Sequence, residues 1–391
     1  MTAIAEETSK EEKPAARQPA VSAVSGIVDL GEGHGFLRVA GYRRSGGDIP
    51  ITPAQVRQYG LRPGDHIEGT AGSRQAKRAL LTVESVNGLP VAMAVSRPRF
   101  DDLTPVYPSQ RFRLEDGDPS RTARIIDLVS PIGKGQRGLI VAPPKAGKTT
   151  VLKTIARAIG TAYPDVHVML VLVGERPEEV TDLRRTVRGE VIASTFDQSP
   201  ADHIKAAELA IERAKRLAEA GRDVVVMLDS LTRLGRAYNL AAPASSRTLT
   251  GGVAVSALQP PRQFLGAARC LEEGGSLTIL STALIDTGSQ LDNVLFEEFK
   301  GTGNMELRLR RDLAEKRLFP AIDPAPSGTR REDLLMDPAE HAAVVSLRRV
   351  LAALDSQHAL ELLLDKTAAS NEQFLRQVGQ AGRAGQAGAV R

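Results

Sequence analysis

Residues 142–149 read Ala-Pro-Pro-Lys-Ala-Gly-Lys-Thr. The apolar run Gly138-Leu139-Ile140-Val141 before them predicts a buried strand. The segment from Thr150 to Ile159 after them carries apolar residues at helical spacing. Strand, tight turn and helix form the setting of a phosphate-binding loop. The turn aims backbone N–H groups at a polyphosphate, and the helix N-terminus adds the positive end of its dipole. The reading assigns Pro144, Lys145, Ala146, Gly147, Lys148, Thr149 and Thr150 to a nucleotide site. Lys148 reaches the terminal phosphates and Thr149 ligates Mg²⁺. Ala142 stands where such loops usually begin with glycine; alanine fits if its φ stays negative.

Two further stretches agree. Val224-Val225-Val226-Met227-Leu228 predicts a buried strand ending in Asp229. An acid at that place holds Mg²⁺ through water, since Mg²⁺ keeps several waters and takes few carboxylates; the competing reading is an Asp that caps the next helix. The strand His167–Val173 runs into Gly174-Glu175-Arg176-Pro177-Glu178-Glu179. A carboxylate at the C-terminal edge of the same sheet suits a general base for water attacking the γ-phosphate. Glu175, Glu178 and Glu179 compete for the role, and Glu175 is nearest the strand end.

The 391 residues are enough for two or three domains, and 42% are hydrophobic. A net charge of +4 permits nucleic-acid binding without arguing for it. One cysteine, Cys270, excludes an internal disulfide and fits a reducing compartment. No apolar run approaches the ~18 residues of a membrane span, and the N-terminus has no apolar signal core, so a cytoplasmic protein is expected. Residues 1–22 predict a disordered tail. Residues 23–97 carry short β-rich pieces between turns, the pattern of a small OB-fold barrel. Residues 98–128 hold scattered prolines and predict a connector. Residues 129–377 alternate strands and helices, so an α/β domain with a mostly parallel sheet is expected, with helices at its C-terminal end. Residues 378–391 are Gly/Ala/Gln-rich and predict a flexible tail.

Longer strings then identify a family. They are Ser130–Thr149, Glu175-Arg176-Pro177-Glu178-Glu179-Val180-Thr181, Gly189–Asp197, Leu228-Asp229-Ser230-Leu231-Thr232-Arg233 and Leu249-Thr250-Gly251-Gly252-Val253. Leu284-Ile285-Asp286-Thr287-Gly288-Ser289, Phe296–Asn304 and Ser327-Gly328-Thr329-Arg330 continue the series. In this order they resemble the bacterial transcription termination factor Rho family, ring-shaped hexameric RNA-dependent ATPases and helicases. The resemblance covers roughly residues 25–377. It implies a RecA-like P-loop domain behind a cold-shock-like barrel, ATP and Mg²⁺ as ligands, and a homohexamer. The implied partners are single-stranded RNA and the RNA polymerase elongation complex, with no membrane. Lys148, Thr149 and Asp229 resemble the phosphate and metal ligands, with Lys145 assisting, and Glu175 the catalytic base. Arg176 and Arg330 resemble arginines that act across a subunit interface, and Phe319 the residue that packs on adenine. Thr250, Gly251, Gly252, Thr287, Gly288 and Ser289 resemble loops lining a central RNA pore, with Lys300 near the same pore. His34, Phe36 and Arg38 resemble the first RNA site, on the barrel.

The chain also departs from the family pattern. Gly174 replaces an aspartate, Gln290 a lysine in a pore loop, His34 a phenylalanine and Pro50 a tyrosine. His34 stacks on bases less well than phenylalanine, while Phe36 and Arg38 remain. The function expected is an ATP-dependent RNA translocase that terminates transcription. The alternative is a related ring that binds RNA and regulates with weak turnover. A rotary ATP synthase subunit would share the core but lack the barrel and pore loops.

Overall fold

A computed structural model describes residues 21–31, 34–74, 77–243, 245–249, 251–367 and 370–388. The expected N-terminal tail lies outside the described residues as far as residue 20, and Thr250 lies outside them too. The N-terminal unit is a six-stranded antiparallel sheet: β1 (Ser22–Gly31), β2 (His34–Arg38), β3 (Ile49–Ile51), β4 (His66–Arg74), β5 (Lys77–Val86) and β6 (Leu89–Pro90). Its order is β3-β2-β1-β4-β5-β6, and β3 packs against β5, so the sheet curls on itself. Val28, Leu37, Ile49, Ile67 and Val86 fill the inside. Helix α1 (Pro53–Tyr59) carries a capping box between Thr52 and Gln55, and the Gln55 side chain also donates to Leu80 O at 2.8 Å. Pro50 falls in edge strand β3, where a missing N–H costs no ladder bond to a further strand.

The second unit is built on six parallel strands. They are β7 (Arg137–Ala142), β8 (His167–Glu175), β9 (Glu190–Thr195), β10 (Asp223–Asp229), β11 (Ser276–Leu284) and β12 (Met305–Arg308), in the order β9-β8-β10-β11-β7-β12. The short β13 (Gly328–Thr329) closes the β12 edge antiparallel. Both faces are covered by helices, which is why β8 and β10 are apolar almost end to end. The helices are α2 (Arg121–Val129), α3 (Lys148–Ala162), α4 (Pro177–Thr186), α5 (Pro200–Glu219), α6 (Leu231–Ala241), α7 (Val255–Gly266) and α8 (Gln290–Lys300). At the C-terminal end follow α9 (Pro338–Ala352), α10 (Ser356–Lys366) and α11 (Asn371–Gly388). Leu347, Leu360 and Phe374 seat this last group on the core.

Two boundaries differ from the sequence reading. The stretch 98–128 is folded onto the α/β domain, not strung out as a connector. Phe100, Phe112 and Leu114 are core residues, and Ile125 and Ile126 of α2 are fully buried. The prolines between them masked these short buried pieces. At the other end α11 continues through 378–388. Its alanines and glutamines favour helix, and isolated glycines cost only about 1 kcal/mol each.

The barrel is docked tightly on α5 and β9. Tyr42 Oη donates to Glu190 at 2.8 Å, Arg43 Nη2 to Ala193 O at 2.6 Å, and Arg213 Nη1 to Asn87 at 2.5 Å. Gly64 sits at φ 80, and a Cβ there would lie 2.3 Å from Arg213 N, so only glycine allows this approach.

Candidate active site and nucleic-acid interface

The phosphate loop leaves the C-terminal end of β7. Ala142 is the buried last residue of that strand, in extended backbone, so the missing glycine costs nothing. Gly147 caps α3 at φ 92, and Lys145 is held at φ 67, a conformation uncommon for a residue with a side chain. A cleft of about 450 Å³ opens here, lined by Lys145, Gly147, Lys148, Thr149, Thr150, Glu178, Glu179 and Asp182. α3 therefore presents its free N–H groups to the space beside Lys148.

Behind the loop, three sequence-predicted residues meet. Lys148 Nζ donates to Glu175 Oε1 at 3.0 Å and to Asp229 Oδ1. Burial alone would depress the Lys148 ammonium, but the charges of Asp229 and Glu175 outweigh it and hold it above its usual value. Burial, then the charge of Asp229, pushes the Glu175 carboxyl above the ordinary glutamate range, against the pull of Lys148 and Arg233. Asp229 Oδ1 also accepts from Thr282 Oγ1 at 2.7 Å, while its Oδ2 is buried without a hydrogen-bond partner. That unpartnered oxygen and the Thr149 hydroxyl in the first turn of α3 suit Mg²⁺, which binds proteins through one or two oxygens and keeps its other places for water and phosphate. Glu178 and Glu179 lie at the cleft mouth in the first turn of α4, and Thr149 Oγ1 is 3.5 Å from Glu179 Oε2. Of the three competing glutamates, only Glu175 faces Lys148 from the sheet edge.

Arg233 was missed as a site residue. It lies in the first turn of α6, donates through Nη1 to Gly174 O, and brings Nη2 to 3.7 Å from Glu175 Oε1. Gly174 is at φ 68, and a Cβ there would stand 3.2 Å from the Arg233 guanidinium.

The interface candidates separate. Arg176 is exposed at the N-cap of α4. Phe319 is 50% exposed. It lies three residues before Ile322, which bridges to Leu309, and Leu309 N bonds Val141 O, so Phe319 belongs to the phosphate-loop end of the sheet. Arg330 belongs to the other end. Its N–H bonds Asn304 O, Asn304 N bonds Arg137 O, and Arg137 opens β7. Burial, then the charges of Arg269 and Arg330, lower the Arg137 guanidinium. Lys300 lines the same hollow as Arg330. α8 puts 11 residues, about 16 Å, between Ser289 and Lys300.

The two predicted loops do meet. Gly251 lies against the Gln290 backbone, where a Cβ would be 3.3 Å away, and Gly251, Gly252 and Gly288 all take positive φ. The hydroxyls of Thr287 and Ser289 are turned inward: Thr287 donates to Asp292 at 2.5 Å and Ser289 caps α8. What this loop offers a ligand is mainly backbone. Asp292 in turn pairs with Arg236 of α6, the helix that carries Arg233.

On the barrel, Phe36 is partly exposed and lines a cleft of about 520 Å³ with Arg38, Arg44, Ser45 and Asp48. Phe36 lies outside the barrel core, so it does not simply fill the barrel. Arg38 lines the same cleft with its guanidinium largely buried and bonded to Asp29 and Asp48; its Cζ stands 5.2 Å from the Phe36 ring centre. His34 lies in β2 and pairs with Gly31.

Fold and site together define a P-loop NTPase carrying an OB-type barrel. Residues 122–329 match the ATP synthase alpha/beta family, nucleotide-binding domain, and residues 24–92 match the Rho termination factor, RNA-binding domain. A transcription termination factor Rho of Streptosporangium roseum is 57% identical over 384 residues, covering 96% of this chain and 99% of that protein. The Rho of Streptomyces lividans is 58% identical over 363 residues, 91% of this chain and 51% of its own length. Among solved structures, an ATPase from the type III secretion system of pathogenic bacteria aligns with a TM-score of 0.56 and 26% identity. That alignment covers 72% of this chain and 77% of the other. The chain belongs to the transcription termination factor Rho family. Among the described residues no helix is long and apolar enough to cross a membrane.

Proposed function

We propose that the chain is an RNA-dependent ATPase that moves along nascent single-stranded RNA and terminates transcription, working as a homohexamer in the cytoplasm. The observation that carries this is the buried meeting of Lys148, Glu175 and Asp229 at the sheet edge, on a chain that also carries a docked RNA-binding barrel. Phosphate arriving at the loop offers Lys148 a new anionic partner, which frees Glu175 to accept a proton from the attacking water. Arg233 then orients Glu175 from its other side. Thr149 and Asp229 would hold Mg²⁺, which neutralises charge on the phosphates when bound. Arg330 cannot serve its own phosphate loop from the opposite sheet end, so it reaches the nucleotide of a neighbouring subunit, with Lys300 and Arg176 at the same interface. Phe319 packs on the base. The paired loops at Gly251 and Gly288 line the pore and meet RNA through backbone, with the pairing of Arg236 and Asp292 linking them to the helix behind Asp229. RNA polymerase is the partner from which the transcript is drawn.

The test is ATP-driven displacement of a DNA oligonucleotide annealed downstream of a single-stranded RNA tail. Displacement that needs both ATP and the tail is expected. RNA binding and hydrolysis without displacement would favour the regulatory ring instead.

A further inference from the structure

With Arg38 held by Asp29 and Asp48, two further cations line the barrel cleft: Arg44, exposed on the barrel itself, and one from outside the barrel. Lys205, on α5 of the nucleotide-binding domain, reaches across the domain junction into the cleft beside Phe36, Arg44 and Asp48. Its Nζ lies 2.5 Å from Asp29 Oδ1, with the lysine side chain 29% exposed and Asp29 only 4%. It also lines a second hollow, between the barrel and α5, so it stands where the two cavities join. The contacts of Tyr42 and Arg43 with β9 and of Gly64 with α5 fix the two domains together and hold Lys205 in this place.

We propose that Lys205 is an RNA contact of the barrel cleft: its ammonium leaves Asp29 for a phosphate of the strand whose base stacks on Phe36. The exchange is inexpensive. Asp29 keeps Arg38 as a partner on its other oxygen, so no buried carboxylate is left unpaired. A lysine is a flexible point charge that can swing from carboxylate to phosphate without a fixed geometry. The single strand then touches both domains at once, and the cleft is complete only when the barrel is docked. The proposal rests on the reading of the barrel as the RNA site.

The test titrates the full chain with labelled oligo(C) across a range of KCl concentrations. Lys205→Ala should weaken binding roughly five- to tenfold and make the salt dependence shallower by about 0.7, the loss of one single-strand phosphate contact. Lys205→Arg should restore both. Asp29→Asn should tighten binding, because it releases the ammonium. An unchanged salt slope in Lys205→Ala, with binding lost in Phe36→Ala, overturns the role of Lys205 alone. Equal weakening by Lys205→Ala and Asp29→Asn also overturns it, since the pair is then a strut between domains. Unchanged binding in both Phe36→Ala and Lys205→Ala overturns the cleft reading together with the proposal.

Discussion

Arg330 and Lys148 lie at opposite ends of the same strand: Arg330 is tied through Asn304 to the start of β7, and Lys148 follows the loop at its finish. Arg330→Ala should cut hydrolysis by about 10³-fold, the loss typical of an arginine finger, with ATP binding kept. Subunits carrying Arg330→Ala mixed with subunits carrying Lys148→Ala should regain activity, because each supplies what the other lacks. Mixed rings that form and stay inactive would remove the action in trans.

Glu175 should set the acid limb of the hydrolysis profile. Its carboxyl is raised by burial and by Asp229, so turnover should fall at a higher pH than an ordinary glutamate, about 4.3, would give. The stability effect has a defined sign. A carboxyl raised in the folded state contributes stability below its unfolded pKa, and that contribution is lost as pH rises through the folded value. Glu175→Gln should therefore abolish hydrolysis and gain melting temperature over the wild type as pH rises. A gain that instead shrinks with rising pH contradicts the raised carboxyl.

Gly64→Ala should loosen the barrel from α5. The added methyl would meet the backbone of Glu212 and Arg213, and overpacking of this kind costs about 1–3 kcal/mol. Limited proteolysis between the two units should accelerate, and RNA stimulation of hydrolysis should weaken while basal turnover persists. Unaltered cleavage would mean that the junction yields without cost.

Phe36→Ala should weaken oligo(C) binding by about 5- to 150-fold, the value of one stacked base. Its partly exposed position outside the barrel core predicts only a small fall in melting temperature. A large fall would make Phe36 a packing residue.

The nucleotide end of the molecule was legible in the sequence because its chemistry is local. The turn at 142–149, the acid closing β10 and the acid closing β8 each announce themselves within a few residues, and parallel pairing brings them together. What stayed hidden depends on distant partners. Arg38 looked like a free cation because Asp29 and Asp48, which hold it, are not marked as partners by spacing. Lys205 carried no signal in the sequence because the barrel residue it touches, Asp29, lies 176 positions earlier in the chain. The buried pieces at Phe100, Phe112 and Leu114 are too short to show a period.

The central claim is that ATP turnover at Lys148 depends on RNA held by the same chain. The most direct measurement is ATP hydrolysis by the full chain with and without poly(C), beside Lys148→Ala. Hydrolysis that is low alone, rises many-fold with poly(C), and is absent in Lys148→Ala under both conditions is the predicted result. Turnover that is indifferent to RNA, or that survives in Lys148→Ala, would contradict the account.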